Sequence, residues 1–277
     1  MQNTNQNYNK YINPALIKGT IKQSRKFLII FLSVILGFTF LALLLYMAIR
    51  NIKDPAIGVI SNMDILQYYI SDSHSDSLLM GLIFTGIVAM AALLKDERKN
   101  TTEFLFAHPI SRKKMFFTQM ISFVSILFIF SFIIMAGSFL FLIIFNRFKI
   151  DFDVGQYFVF HAGLFLTNIL YGFFMYGLAS VMKGKNYLAP AICIGVGMYL
   201  LYYLFIILAA ALQSIAPWVQ KLDCLFVINI LKVDTFSGVT KGYMTFRWQP
   251  ILVWSLLAIA LNVWGYFRYQ KKDLNCA

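Results

Sequence analysis

Of the chain's 277 residues, 60% are hydrophobic and 13% charged, which leaves too little polar surface to cover a soluble domain. The net charge of +12 would suit nucleic acid, but a nucleic-acid binder gathers its cations on a water-facing surface, and here they flank apolar runs. Cys193, Cys224 and Cys276 form no C-x-x-C pair, so neither a disulfide framework nor a zinc site is indicated.

The first 26 residues contain no short apolar run ending in an A-x-A-like site, so the first membrane span is expected to do the targeting. Asn13-Pro14 reads as a helix start, with Asn as N-cap and Pro at the first helical position. Lys18, Lys22 and Arg25 follow at helical spacing with Ile17, Ile21 and Leu28 on the neighbouring face. The pattern predicts an interfacial amphipathic helix over 14–26, or else a basic flank that only fixes topology.

A helix needs about 20 apolar residues to cross the hydrocarbon layer. Six stretches free of Asp, Glu, Lys and Arg come near or exceed that length, at 27–49, 78–94, 115–145, 157–182, 187–212 and 250–267. The expected fold class is an all-α integral membrane protein, one transmembrane domain over 1–277. The connections at 1–26, 95–114, 183–186 and 268–277 hold sixteen Lys and Arg against four acids, while the other side holds eight of each. Positive residues stay on the cytoplasmic side, so both termini are expected there; the expected location is the inner membrane of a bacterium.

Residues 95–114 join the second and third spans. Asn100 with Glu103 resembles a capping box, Pro109 disfavours helix at His108, and Ser111 is placed to cap the next helix. A short surface helix with Phe104, Leu105 and Phe106 on it results, and these apolar side chains need something to insert into.

Within the spans, Gln119, Ser122, Ser125, Thr167, Asn168 and Asn262 are candidates for lining a path or for joining helices, the second use being the commoner. Ala189, Cys193 and Gly197 recur every fourth residue and form a small-residue stripe that suits close helix approach, between subunits or inside one. The connection 213–249 holds apolar stretches too short to span, with Pro217 and Trp218 suited to an interfacial turn.

The run DERKNTTEFLFAHPISRKKMFFTQ resembles the signature of the permeases of ABC-2 type ATP-binding-cassette exporters. Glu97, Thr101 or Thr102, Glu103, Pro109, Ser111 and Arg112 stand in its places, while Asn100 replaces a frequent Gly and His108 precedes the proline. The resemblance implies a coupling helix near 97–110 that docks on a separate ATPase subunit. Phe104 and Phe106 would be its anchors, with Glu97, Arg98, Thr102, Glu103, Pro109 and Arg112 around them. It further implies a second permease copy or close homologue, paired through spans one and five, and re-entrant helices within 213–249 on the far side.

No G-x-x-x-x-G-K-[ST] occurs, so ATP and Mg are expected on the partner ATPase and no cofactor in this chain. The spans carry no Asp, Glu, Lys or Arg to drive ion-coupled transport. His74, His108 and His161 lie on separate segments, and the two glutamates, Glu97 and Glu103, share one loop, so no enzyme constellation or metal site is indicated. His161 alone near a membrane end reads as a hydrogen-bonded structural residue. The expected role is the path-forming subunit of an exporter of hydrophobic or amphipathic peptides, of the antimicrobial or phenol-soluble-modulin kind. Lipid, glycan or sodium export and a passive channel or scaffold are the alternatives.

Overall fold

The computed structural model describes residues 12–50, 64–98, 111–182, 186–213, 216–232 and 244–271. Asn13 opens helix α1 (Pro14–Ile49) by accepting the Ala15 N–H on its Oδ1 at 3.1 Å, with Pro14 in the first turn. No break separates 14–26 from 27–49, so the expected interfacial helix and first span are one helix of 36 residues. At 1.5 Å per residue it is about 54 Å long, well beyond the hydrocarbon thickness.

Helix α2 (Ile65–Arg98) begins thirteen residues before the expected span at 78–94. Asp64 Oδ1 accepts the Gln67 N–H at 2.7 Å and Gln67 Oε1 accepts the Asp64 N–H at 3.3 Å, a reciprocal cap that starts the helix in its polar part. Ser111 starts α3 (Arg112–Phe145), its Oγ accepting the Lys114 N–H at 3.2 Å. Asp153 starts α4 (Val154–Val181) by accepting the Gln156 N–H at 3.1 Å. Helices α5 (Leu188–Ala211) and α6 (Trp248–Lys271) complete the set of α-helices among the described residues. All six are long and apolar enough to cross a membrane.

Among the described residues between α5 and α6, Pro217–Leu225 and Val227–Ile230 form 3-10 helices packed against α4, α5 and α6. A two-residue ribbon follows, β1 (Leu231–Lys232) antiparallel to β2 (Thr245–Phe246), with Leu231 opposite Phe246. Trp254 Nε1 donates to the Leu225 carbonyl at 3.0 Å, and the Met244 N–H donates to Gln156 Oε1 at 2.9 Å, so this cap is tied to α6 and α4.

Alternating helix directions give the bundle two ends. At the base α1, α3 and α5 begin and α2, α4 and α6 end; the crown is opposite. Helix α4 lies against both α2 and α6, and α1 lies along α3. In the apolar window of α2 78% of residues are buried against 11% in α5, which puts α2 at the centre and α5 at the edge.

Lipid gives apolar side chains no reason to leave it, so helices approach through small residues. A Cβ on Gly177 of α4 would lie 3.0 Å from the Leu261 carbonyl carbon and 3.1 Å from the Asn262 nitrogen, both backbone atoms of α6. Gly197 of α5 meets nothing within 4 Å. We predict that Gly177→Ala lowers stability by about 1–3 kcal/mol, as overpacking does, while Gly197→Ala leaves it unchanged. Reversible unfolding of the purified chain in mixed micelles measures both.

Candidate functional site

The base is where the structure ties most helices to one point. That point is the first turns of α3. The Asn13 N–H donates to Thr118 Oγ1 at 3.1 Å, and Thr20 Oγ1 donates to Gln119 Oε1 at 2.9 Å, fastening α1. Tyr176 OH donates to the Phe116 carbonyl at 2.6 Å, fastening α4. Arg112 Nη1 donates to the Gln270 carbonyl at 2.9 Å, fastening α6. The Phe116 ring packs against Tyr176, Tyr266 and Tyr269 with centroids 5.2, 5.5 and 5.7 Å away. Thr20, Gln23 and Ser24 of α1 share a small cavity with Ala91, Ala92 and Lys95 of α2 and Gln119.

Two chain directions meet at this knot, because α2 ends at Arg98 and α3 begins at Arg112. Glu97 and Arg98 therefore stand in the last turn of α2, continuous with the second span. Thr102, Glu103, Phe104, Phe106 and Pro109 lie outside the described residues, as do the side chains of Glu97 and Arg98. The chain enters α3 from the connection 99–110, and α3 is fastened to α1, α4 and α6.

Of the polar span residues, Gln119, Asn168 and Asn262 are bonded to a neighbouring helix, while Ser122 and Ser125 bond within α3. Gln119 is held by Thr20, and Ser122 and Ser125 donate back to the Thr118 and Ile121 carbonyls at 2.8 and 2.9 Å. Asn168 is buried where Gly81 leaves room for its amide, and accepts from Thr85 at 3.4 Å. Thr167 is buried on the same helix. Asn262 Nδ2 donates to the Phe173 and Ala258 carbonyls, each at 2.8 Å.

In the α5 stripe Ala189 and Cys193 are exposed and Gly197 borders open space, so it faces away from its own subunit. The internal contact of α5 uses a second small pair, Ala191 and Gly195. A Cβ on Gly195 would sit 3.4 Å from Ile83 of α2, and the Ala191 carbonyl approaches Gly86. That A-x-x-x-G spacing stands in the sequence beside the stripe.

Near the crown a buried polar cluster joins α2, α3 and α4. Ser138 Oγ lies 2.8 Å from Tyr157 OH and 3.3 Å from His161 Nε2, and Tyr69 OH lies 3.1 Å from the same nitrogen. Tyr157 OH also donates to the Met135 carbonyl. His161 is thus a hydrogen-bonded structural residue. Tyr69 belongs to the part of α2 that lies beyond the expected span. One turn further, the half-buried Asp72 has its carboxyl held above the usual range by burial first and Asp76 second.

At the crown surface, Arg247 forms an ion pair with Asp223, its Nη2 3.0 Å from Oδ1, and donates its backbone N–H to the Ile230 carbonyl at 2.8 Å. The hydrogen-bonded carboxylate of Asp223 raises the Arg247 pKa further.

Six helices long and apolar enough to cross a membrane, with many of their polar side chains buried in the bundle, define a multi-pass membrane protein. The sequence profile of the ABC-2 family transporter proteins matches residues 20–201, two thirds of the chain, and the chain belongs to that family. It is therefore a membrane component of a transporter, and membership implies partnering with an ATPase subunit. No individual curated protein matches it.

His161→Leu removes the ring nitrogen that Tyr69 and Ser138 share and costs about 1–3 kcal/mol, whereas adding Tyr69→Phe recovers part of the loss, measured by a double-mutant unfolding cycle. A carboxyl pKa raised on folding means that ionising Asp72 opposes folding. That cost is full above the folded pKa and gone below the ordinary value of 3.8. Asp72→Asn is expected to stabilise the protein near neutral pH, with the advantage fading as pH falls through the folded pKa, measured by melting against pH.

Proposed function

We propose that the chain is the permease subunit of an ABC-2 exporter and lies in the cytoplasmic membrane of a bacterium, with its base and both termini in the cytoplasm. Sixteen Lys and Arg against four acids on the base side support that orientation. Two permeases, identical or homologous, form the path between them. The outward small-residue stripe Ala189, Cys193 and Gly197 is the seam, flanked by α1, most of whose apolar window is unburied in the single subunit.

The segment 97–110 is the coupling element. Phe104 and Phe106 enter a groove on the ATPase, with Glu97, Arg98, Thr102, Glu103, Pro109 and Arg112 around them. ATP and Mg reside on that partner. Closure of the ATPase pair moves the start of α3, and the knot of Thr20, Gln119, Phe116, Tyr176 and Arg112 carries the movement into α1, α4 and α6. This knot is the observation on which the reading most depends, because it fastens three other helices to the helix that the coupling segment enters. The cargo is a hydrophobic or amphipathic peptide, in keeping with a chain that has 28 Phe and no Asp, Glu, Lys or Arg in the apolar stretches of its spans.

Affinity purification of the tagged full-length chain from its native membrane tests the coupling. Wild type is expected to recover a P-loop ATPase, and a Phe104→Asp, Phe106→Asp variant to recover at least about tenfold less, since burying two unpaired charges costs more than 1.4 kcal/mol. Absence of an ATPase in the wild-type eluate would remove the motor from this reading.

A further inference from the structure

A cavity of about 290 Å³ opens at the crown between the last turn of α1 and the corner joining α3 to α4. Met47, Arg50, Asn146, Arg147, Lys149 and Asp151 line it, so three cations face one carboxylate. Asp151 accepts a hydrogen bond from Asn146 Nδ2, which also donates to the Lys149 carbonyl at 2.9 Å. The pocket is left with net positive charge.

The corner that builds it has an unusual backbone. Arg147 and Phe148 both adopt left-handed conformations, with φ of 56° and 60°, where helices commonly place glycine. Arg147 lines the cavity, while Phe148 and Ile150 remain 78% and 58% exposed beside it. Cations near the ends of α1 and α3 would favour the helix dipoles wherever they pointed. That does not account for their convergence on one cavity, nor for two exposed apolar side chains at its rim.

Arginine and lysine together recognise phosphate, arginine with paired planar donors and lysine as a point charge. Apolar side chains beside such a pocket at the end of membrane-crossing helices suit a ligand with phosphate and acyl chains in one molecule. We propose that this pocket binds the phosphate of an anionic phospholipid headgroup, with Phe148 and Ile150 seated among the adjoining acyl chains. The site stands at a membrane surface whichever way the bundle is oriented, so it does not depend on the proposed transport direction.

The purified full-length chain is titrated in detergent with short-chain phosphatidylglycerol, the matching phosphatidylcholine, and inorganic phosphate, and bound species are resolved by native mass spectrometry. Phosphatidylglycerol is expected to bind ahead of phosphatidylcholine, and Arg147→Gly and Lys149→Gln each to weaken it about fivefold. Arg147→Gly removes the guanidinium while easing the backbone, so its loss of binding is separable from a loss of folding, and an unchanged melting temperature verifies this. Lys221→Gln, an exposed cation outside the pocket, is expected to change nothing. Phe148→Ser with Ile150→Ser is expected to weaken the phospholipid. Inorganic phosphate binding as tightly as phosphatidylglycerol would assign the pocket to a soluble anion and overturn the lipid reading. Equal binding of the two phospholipids, or pocket variants that behave like Lys221→Gln, would overturn the site altogether.

Discussion

Hydrocarbon rewards no apolar contact between helices that lipid could not supply as well, and every polar group left facing it is penalised. The bundle is held together under that constraint by close backbone approach and shared hydrogen bonds. Gly177 lets α4 and α6 meet backbone against backbone, and Gly195 does the same for α5 on α2. Asn262 reaches across to the Phe173 carbonyl, Tyr176 to Phe116, and His161 collects Tyr69 and Ser138.

The distribution of these fastenings is uneven. At the base, α1, α4 and α6 are each tied to the opening turns of α3. At the crown, a second set ties α2, α3 and α4 through one histidine. Helix α3 belongs to both, so it connects the membrane surface beside the 99–110 connection to the far end of the bundle. By contrast α5 touches its own subunit on one side and presents Ala189, Cys193 and Gly197 on the other.

The spans were legible because hydrocarbon thickness imposes a length that an apolar run either meets or does not. The caps Asn13 and Ser111 were legible because a side-chain acceptor beside free N–H groups is a local event. What escaped were features that a charge-free window discards. Asp72 and Asp76 hid the first turns of α2, and with them Tyr69, although Asp64 and Gln67 spell a helix start three residues apart. The unbroken passage from residue 14 to residue 49 was divided because charge changes at Lys26, and a change of solvent does not require a change of backbone. Which polar residues met which was not legible, since Thr20 and Gln119 are 99 positions apart and their pairing depends on how α1 and α3 cross. The pocket of Arg50, Arg147 and Lys149 was likewise dispersed over two connections of mixed charge.

The continuity of α1 has a mechanical side. A helix with no joint at the membrane entry behaves as a lever, so its two ends cannot be repositioned separately. Tilting a rod of about 54 Å by about 10° around its middle swings each end by roughly 5 Å. Thr20 sits near one end and Arg50 just past the other, so whatever moves the first toward or away from α3 also widens or narrows the basic cavity across the bilayer. Bound lipid at the far surface would then act as a brake or a latch on the near one.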